Sequence, residues 1–507
     1  MKLKMFIQRI ITAMLLLSVA FSVQAQQWNR TYIVDRPVLL FSSILEEDNN
    51  YYITGVTTDK GNFTNFDRAF IGKLDEFGNV SQYKTITDSA GKVYSAYFNT
   101  LIKDSHGKLV FTGYSIDSVS RLLLVKTDES FSDIQVYEYT TPNTSAFQGR
   151  SMLQHNDYYY VTGVRTVQST NNASVVLLKI DTNGNRLWEK LYNQDKIDYA
   201  ESIISLSNGN LMLGAYRTNI NQTNEIANTW LLEVDTGGMV QRQWFDSNDS
   251  TYVARGLLQT QDGGVIYCGQ KKYIQIGTTI GYTGTVTKMD TSFNIQWVYN
   301  NGYRSIYTGI TDVELLPGGS IIVCGQKQIY NTDTTILSGW IVKLDVGGTV
   351  VWESAYTAIN QSLVKNFLTD IDVLSDGSLI AVGQCQIPGQ MPPQVGWFLK
   401  LDSNGCEIGN CMVGLPDDEL SVADDGQIHV YPNPFTSDVS ISFVDMHVST
   451  ATFTITNHIG QIVYQQQETN LATGYTKMLD LSYLPNGVYF VEVETSDGKA
   501  VQRIVKQ

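Results

Sequence analysis

The tripeptide Lys-Leu-Asp, or a close variant, returns seven times, its aspartates at Asp75, Asp128, Asp181, Asp235, Asp290, Asp345 and Asp402. Successive separations are 53, 53, 54, 55, 55 and 57 residues. A glycine closing an apolar run keeps step, at Gly55, Gly113, Gly163, Gly214, Gly269, Gly325 and Gly383. An aromatic stands 14 to 18 residues ahead of each glycine: Phe41, Tyr97, Phe147, Tyr199, Tyr252, Tyr307 and Phe367. A repeated unit of this size cannot bury its own apolar face and must stack on its neighbours, which restricts the chain to a solenoid, a propeller or an array.

Within a unit the pattern is β. In the fifth, Tyr252 to Thr260 is extended, Gln261-Asp262-Gly263-Gly264 turns, and Val265 to Gly269 is a short apolar run. Gly284 to Met289 alternates, Asp290 to Asn294 turns, and Ile295 to Tyr299 returns. Four short strands per unit is the signature of a propeller blade. The first three units lack the Asp-Gly-Gly turn and carry Asp48-Asn49-Asn50, Ser105-His106-Gly107 and His155-Asn156-Asp157 instead. The Lys-Leu-Asp aspartate opens a turn, because its carboxylate accepts nearby backbone N–H groups. A calcium site is the weaker reading, since the further oxygen ligands of a cation loop are missing.

Trp28-Asn29-Arg30-Thr31-Tyr32 repeats the fourth-strand pattern of Trp188 to Tyr192 and Trp352 to Tyr356, yet precedes the first complete unit. Donated to the last unit, it closes a ring and removes the open edges. The expected fold is all-β: a seven-bladed β-propeller over 26–411, with four antiparallel strands per blade, followed by a small C-terminal β-sandwich.

Lys2, Lys4 and Arg9 precede an apolar run over Ile10 to Val19, and Val23-Gln24-Ala25 is a small-residue cleavage site. Residues 1–25 therefore read as a secretory signal peptide. No later stretch approaches a membrane span, so the mature chain is expected to be exported without one. The formal charge of −15 argues against nucleic acid, which requires clustered cations. Of five cysteines, Cys406 and Cys411 form the candidate disulfide. Cys268 and Cys324 directly precede repeat glycines and read as buried apolar groups, and Cys385 as the free thiol. No metal or cofactor site is expected.

An acidic linker, 412–427, separates the repeats from seven short alternating runs over 428–507. Tyr431-Pro432-Asn433-Pro434-Phe435, Asn457 to Val463 around Gly460, Leu481 to Pro485, Gly487-Val488-Tyr489-Phe490-Val491 and Arg503-Ile504-Val505-Lys506 follow in order. Together they resemble the type A sorting domain of the type IX secretion system of Bacteroidetes. The resemblance implies Pro432, Asn433, Pro434, Gly460, Gly487, Tyr489, Arg503 and Lys506 as the sorting signal. It further implies the translocon and its sorting peptidase as partners, and the cell surface or extracellular space as destination. The repeats are similar to the propeller repeats that often precede such domains.

Chemistry is sparse. The five histidines show no metal spacing, and no Gly-x-Ser-x-Gly elbow occurs. Asp370 and Asp372 form a carboxylate pair, read as solvated channel or strand-end residues. The second–third loops are long and varied and carry Tyr273, Tyr282, Tyr303 and Tyr330, the candidate face for a glycan or protein ligand. The chain is therefore expected to be a non-enzymatic binding or display scaffold. The alternative is an extracellular hydrolase or lyase acting on a polysaccharide, with carboxylates near the central channel.

Overall fold

The computed structural model describes residues 28–506 apart from 34–37, 59–67, 88–90, 170–171, 193–196, 219–226, 247–250, 275–279, 301–307, 331–334, 362, 390–392, 408–427, 432–434, 444–449, 458–460, 470–475, 486 and 496–497. The signal segment, the acidic linker, Cys411, Tyr303, Pro432, Asn433, Pro434 and Gly460 lie outside the described residues.

The repeats form four-stranded antiparallel units in chain order. The first pairs Val38–Glu47, Asn50–Thr58, Arg68–Leu74 and Val80–Ile86. In the second, the innermost strand is split into Val93–Ala96 and Ile102–Lys103, followed by Leu109–Ile116, Ser120–Thr127 and Gln135–Tyr139. The third is Thr144–His155, Tyr158–Val167, Ala173–Asp181 and Arg186–Tyr192. The fourth is Ile197–Ser205, Leu211–Thr218, Ala227–Val234 and Val240–Phe245. The fifth runs Thr251–Gln259, Val265–Ile274, Ile280–Met289 and Ile295–Asn300. The sixth runs Gly309–Leu315, Ile321–Tyr330, Thr335–Leu344 and Val350–Tyr356. Lys365–Val373, Leu379–Gln386 and Gln394–Leu401 make three strands of the last, and Trp28–Tyr32 supplies its fourth by pairing with Gln394–Leu401.

The sequence patterns have direct causes. Strands in the middle of a unit are covered on both faces and so read as continuous apolar runs; Gln394–Leu401 is buried throughout. Fourth strands such as Arg186–Tyr192 are mostly open to solvent and end on a buried tyrosine. Each Lys-Leu-Asp aspartate accepts, through Oδ1, the N–H four residues on, as in Asp75–Asn79, Asp181–Asn185 and Asp402–Cys406 at 2.8, 2.8 and 2.9 Å. That is the turn role. Where the Asp-Gly-Gly turn is missing, Asp48, Asn49 and Asn156 adopt positive φ themselves, a conformation Asn and Asp tolerate better than other non-glycine residues.

The repeat glycine lies opposite a β-bulge. Register shifts fall between Phe41 and Ser43, Gly149 and Ser151, Ala200 and Ser202, Ala254 and Gly256, Ile310 and Asp312, and Leu368 and Asp370. The bulge pushes a first-strand carbonyl onto the second strand. A Cβ on Gly55 would stand 1.9 Å from the Leu40 oxygen, and one on Gly383 1.8 Å from the Phe367 oxygen. Only glycine fits there. The aromatic landmark is looser: Phe41 pairs with Gly55 itself, but Phe147 pairs with Arg165 and Tyr199 with Tyr216. Those rings fill varied space between units and are not held to one backbone position.

In the C-terminal region, Ile428–Tyr431, Asp438–Phe443 and Thr476–Asp480 form one sheet. Thr450–Asn457, Ile462–Thr469, Gly487–Thr495 and Gly498–Lys506 form a second. Val439, Ile441, Phe453, Ile455, Val491 and Ile504 from both sheets share one core. Among the described residues, no helix is long and apolar enough to cross a membrane.

Candidate active site

The bulges also decide what faces the middle of the repeat region. A bulge re-aims side chains out of strict alternation. The first strands of units two to seven line a cavity of about 220 Å³, walled by Tyr97 and Asn99, Ser151, Glu201, Arg255, Thr311 to Glu314 and Thr369. In the second unit the bulge is replaced by the interruption 97–101, which projects Tyr97, Phe98 and Asn99 into the cavity. Asn99 adopts a positive φ of 47° and donates its side-chain amide to Asp312 Oδ1 at 2.6 Å.

One wall is a closed ion pair. Arg150, at the bulge of the third unit, pairs with Glu201, at the bulge of the fourth. The Tyr97 hydroxyl donates to Glu201 Oε2 at 2.8 Å. The Arg150 guanidinium lies 5.3 Å from the centre of the Tyr97 ring and 4.8 Å from that of Tyr199, contacts that suit a planar cation. Burial, and then the Glu201 carboxylate, push the Tyr97 phenol well up.

The other wall is carboxyl-rich. Asp312 and Asp370 are both buried, at 2% and 3% exposure, and their carboxyls hydrogen-bond each other. Asp312 Oδ2 accepts the Ile371 N–H at 3.2 Å, and Asp370 Oδ2 accepts the Ile44 N–H at 2.7 Å. Each aspartate thus also ties its unit to the next. Serines do this at the same position elsewhere: Ser202 Oγ donates to the Ala254 carbonyl at 3.0 Å, and Ser43 Oγ accepts the Leu101 N–H at 3.1 Å.

Burial raises both carboxyls, Asp370 to about 6 and Asp312 well above the usual carboxylate range, with the Asp370 charge adding to the rise at Asp312. Two such groups side by side disfavour ionising together. Glu314, two residues along the same strand, is pushed up to about 8 by burial and then by the charges of Asp372 and Asp370. Asp372 is raised, mainly by burial.

These positions correct two expectations. Asp370 is not a solvated strand-end group; it is locked at a unit junction. The expectation of a chain without enzymatic chemistry rested on finding no gathered reactive groups, and here four carboxyls, Asp312, Glu314, Asp370 and Asp372, perturb one another at and behind the cavity wall. Arg150, Glu201, Arg255, Asp312 and Glu314 were not singled out from the sequence. Their one visible signal is a charged residue in a first strand, within four residues of the repeat glycine's pairing partner.

None of the other expected site residues that are described lines this cavity. Tyr282 is half-buried in the third strand of unit five, its backbone opposite Lys272. Tyr273 and Tyr330 lie at the ends of second strands. Cys406 is disulfide-bonded, while Cys268, Cys324 and Cys385 are free and buried; all three free thiols serve as small core groups. Gly487 opens the strand Gly487–Thr495, and Arg503 lies in Gly498–Lys506. The Tyr489 hydroxyl donates to the Pro485 carbonyl at 2.8 Å. The Lys506 ammonium is buried, donates to the carbonyls of Thr436 and Leu481 at 2.7 and 3.0 Å, and lies over the Phe435 ring. Among the described residues, no cluster of His, Cys, Asp and Glu is arranged to hold a metal ion.

Several solved structures align with this chain at low identity. An α-L-arabinanase from Penicillium chrysogenum, complexed with arabinobiose, is 11% identical over 75% of this chain and 98% of its own, with a TM-score of 0.40. A polysaccharide lyase is 11% identical over 76% and 94%, TM-score 0.45. The β-propeller domain of the trilobed protease from Pyrococcus furiosus is 10% identical over 73% and 97%, TM-score 0.38. With enzymes among these neighbours, the non-enzymatic expectation is withdrawn. No curated protein matches the chain. Residues 429–507 match the secretion system C-terminal sorting domain, and that tail marks the chain for export to the cell surface or extracellular space.

Proposed function

We propose that the chain is an exported enzyme that cleaves a glycosidic bond in an extracellular polysaccharide at the cavity between its first strands. The observation that carries this reading is Glu314 on the carboxyl-rich wall, with Asp372 behind it and near enough for its charge to raise it. Environments that hold one carboxyl protonated beside another that stays ionised assign the acid and the base. Glu314, on the cavity wall, is the acid; its proton goes to the leaving glycosidic oxygen as the carbon–oxygen bond breaks. Asp372, whose charge helps hold that proton on Glu314, is the base; it takes a proton from the water whose oxygen bonds to the anomeric carbon. Asp312 and Asp370 are positioning residues that fix the wall through Asn99, Ile371 and Ile44.

The repeats form one closed seven-bladed β-propeller spanning 26–411, a reading supported by the continuity of contacts between the Trp28–Tyr32 strand and the first unit. The two C-terminal sheets make a β-sandwich over 428–507, reached through the linker 412–427. Type IX secretion is the route, with the translocon and sorting peptidase as partners, and Pro432, Asn433, Pro434, Gly460, Gly487, Tyr489, Arg503 and Lys506 carry the signal. Cys406 pairs with Cys411, a pairing consistent with the three remaining thiols being free. Tyr273, Tyr282, Tyr303 and Tyr330 mark the face of the repeats that meets the polymer.

The purified propeller is screened for release of reducing ends from a panel of polysaccharides, beside Glu314→Gln. Release that the variant abolishes supports the assignment; an unsaturated, ultraviolet-absorbing product identifies elimination in place of hydrolysis. Binding without release overturns the catalytic reading and leaves a scaffold that recognises glycans.

A further inference from the structure

Charge in the cavity is unevenly settled. Of the two arginines at bulge positions, Arg150 is neutralised by Glu201. Arg255, at the corresponding bulge of the fifth unit between Ala254 and Gly256, lines the same cavity and is exposed to it. Among the described residues it has no ion pair and no hydrogen bond. Its charge is felt at Tyr97 and, together with that of Asp312, at Cys268, which places it between the ion-paired wall and the carboxyl-rich one. A guanidinium presents a planar fork that matches a carboxylate through two parallel hydrogen bonds. The adjacent rim carries an aromatic face, Phe98, 37% exposed, and the amide of Asn99, which suit the apolar face and hydroxyls of a sugar ring. The cavity volume of about 220 Å³ falls below the roughly 300 to 1,000 Å³ usual for drug-sized ligands. It is a space for one ring, not for a run of chain.

We propose that the cavity receives the terminal unit of an acidic glycan, a uronic acid, with Arg255 holding its carboxylate. This rests on the polysaccharide reading above and gives it a substrate class and a polarity: the enzyme works from a chain end.

Calorimetric titration of the full mature chain with glucuronate, galacturonate, glucose and glucose 6-sulfate tests it, in parallel on Arg255→Gln and Arg255→Lys. At least one uronate should bind the native chain more tightly than glucose does. Arg255→Gln should weaken that binding about tenfold or more, a loss of ~1.4 kcal/mol, while leaving glucose binding and the melting temperature unchanged. Arg255→Lys should recover part of the loss, because the charge returns without the fork. Equal affinity for glucose and the uronates, an unaffected Arg255→Gln, or no uronate binding overturns the proposal. Tighter binding of the sulfated sugar than of either uronate overturns the carboxylate assignment. Uronate binding without cleavage sinks the enzymatic reading alone. Cleavage of a neutral polysaccharide that survives Arg255→Gln sinks this one alone.

Discussion

The hydroxyl of Tyr32 donates to the carbonyl of Gly78 at 2.8 Å, joining the strand before the first unit to a turn inside it. Tyr139, Tyr192 and Tyr356 make the same bond to Gly184, Gly238 and Gly405, each in the following unit, at 2.8, 2.9 and 2.5 Å. Ring packing repeats as well. A Cβ on Gly78 would stand 2.5 Å from the Trp28 ring, as one on Gly348 would from Trp297. The Trp28–Tyr32 strand, paired to the last unit, therefore meets the first unit as the fourth strands of units two, three and six meet their successors.

Removing that strand should be costly. Trp28 and Tyr32 are buried in a core that mixes Ile380, Val382 and Phe398 with Leu39 and Phe70. Trp28→Ala should lower unfolding free energy by about 3 to 5 kcal/mol, and Tyr32→Phe by about 1 kcal/mol. Chemical denaturation measures both. A Trp28→Ala chain as stable as the parent would mean that the ring does not depend on this strand.

Gly383→Ala should destabilise far more than an ordinary glycine substitution. Its Cβ would press on a backbone carbonyl at 1.8 Å, so the bulge between Leu368 and Asp370 must give way, and Asp370 with it. Overpacking in a core costs about 1 to 3 kcal/mol or more. At Gly209, where no atom stands within 4 Å and φ is +84°, asparagine should cost less than about 1 kcal/mol. Comparable losses at both sites would remove the bulge as the reason for the repeat glycine.

Stability should fall as pH rises from about 4.5 towards 8. Glu314 sits at about 8 in the fold against an ordinary 4.5, and Asp370 at about 6 against 3.8. Between those values the folded chain holds protons that the unfolded chain has released, so each rise in pH favours unfolding. Asp372 and Asp312 act in the same direction. The exposed Asp262, lowered to about 2 by Lys288, acts oppositely and only in acid. Glu314→Gln should flatten the decline in melting temperature between about pH 5 and 8. An unchanged pH profile would show that Glu314 titrates normally.

The last 80 or so residues should be needed for export and not for folding of the repeats. A chain ending near Gly414 should accumulate, folded, in the periplasm, as judged by fractionation and protease resistance. Normal release of that truncated chain to the medium would contradict the role of the sorting tail.

The repeats were legible because their demands are local. A turn aspartate must reach N–H groups two and four residues on, a buried middle strand must be apolar, and a glycine must face a bulge; each leaves a mark at fixed spacing. The Trp28–Tyr32 strand was legible for the same reason, since its residues match those of other fourth strands. The aromatic landmark misled slightly, because a ring can fill the space between units from more than one backbone position.

The cavity was not legible. Asp312 and Asp370 stand 58 residues apart in the chain, and Asn99 meets Asp312 across 213. Nothing in the local pattern distinguishes an aspartate at this position from the serines that make the equivalent junctions at Ser43 and Ser202. Their burial, their mutual electrostatic influence and the unpaired charge of Arg255 arise only when first strands from separate units converge. Periodicity in the chain settles which residues build each unit. The chemistry at the cavity comes from side chains where the units differ, and the electric field at each carboxyl is a sum over neighbours that only the assembled units bring within range.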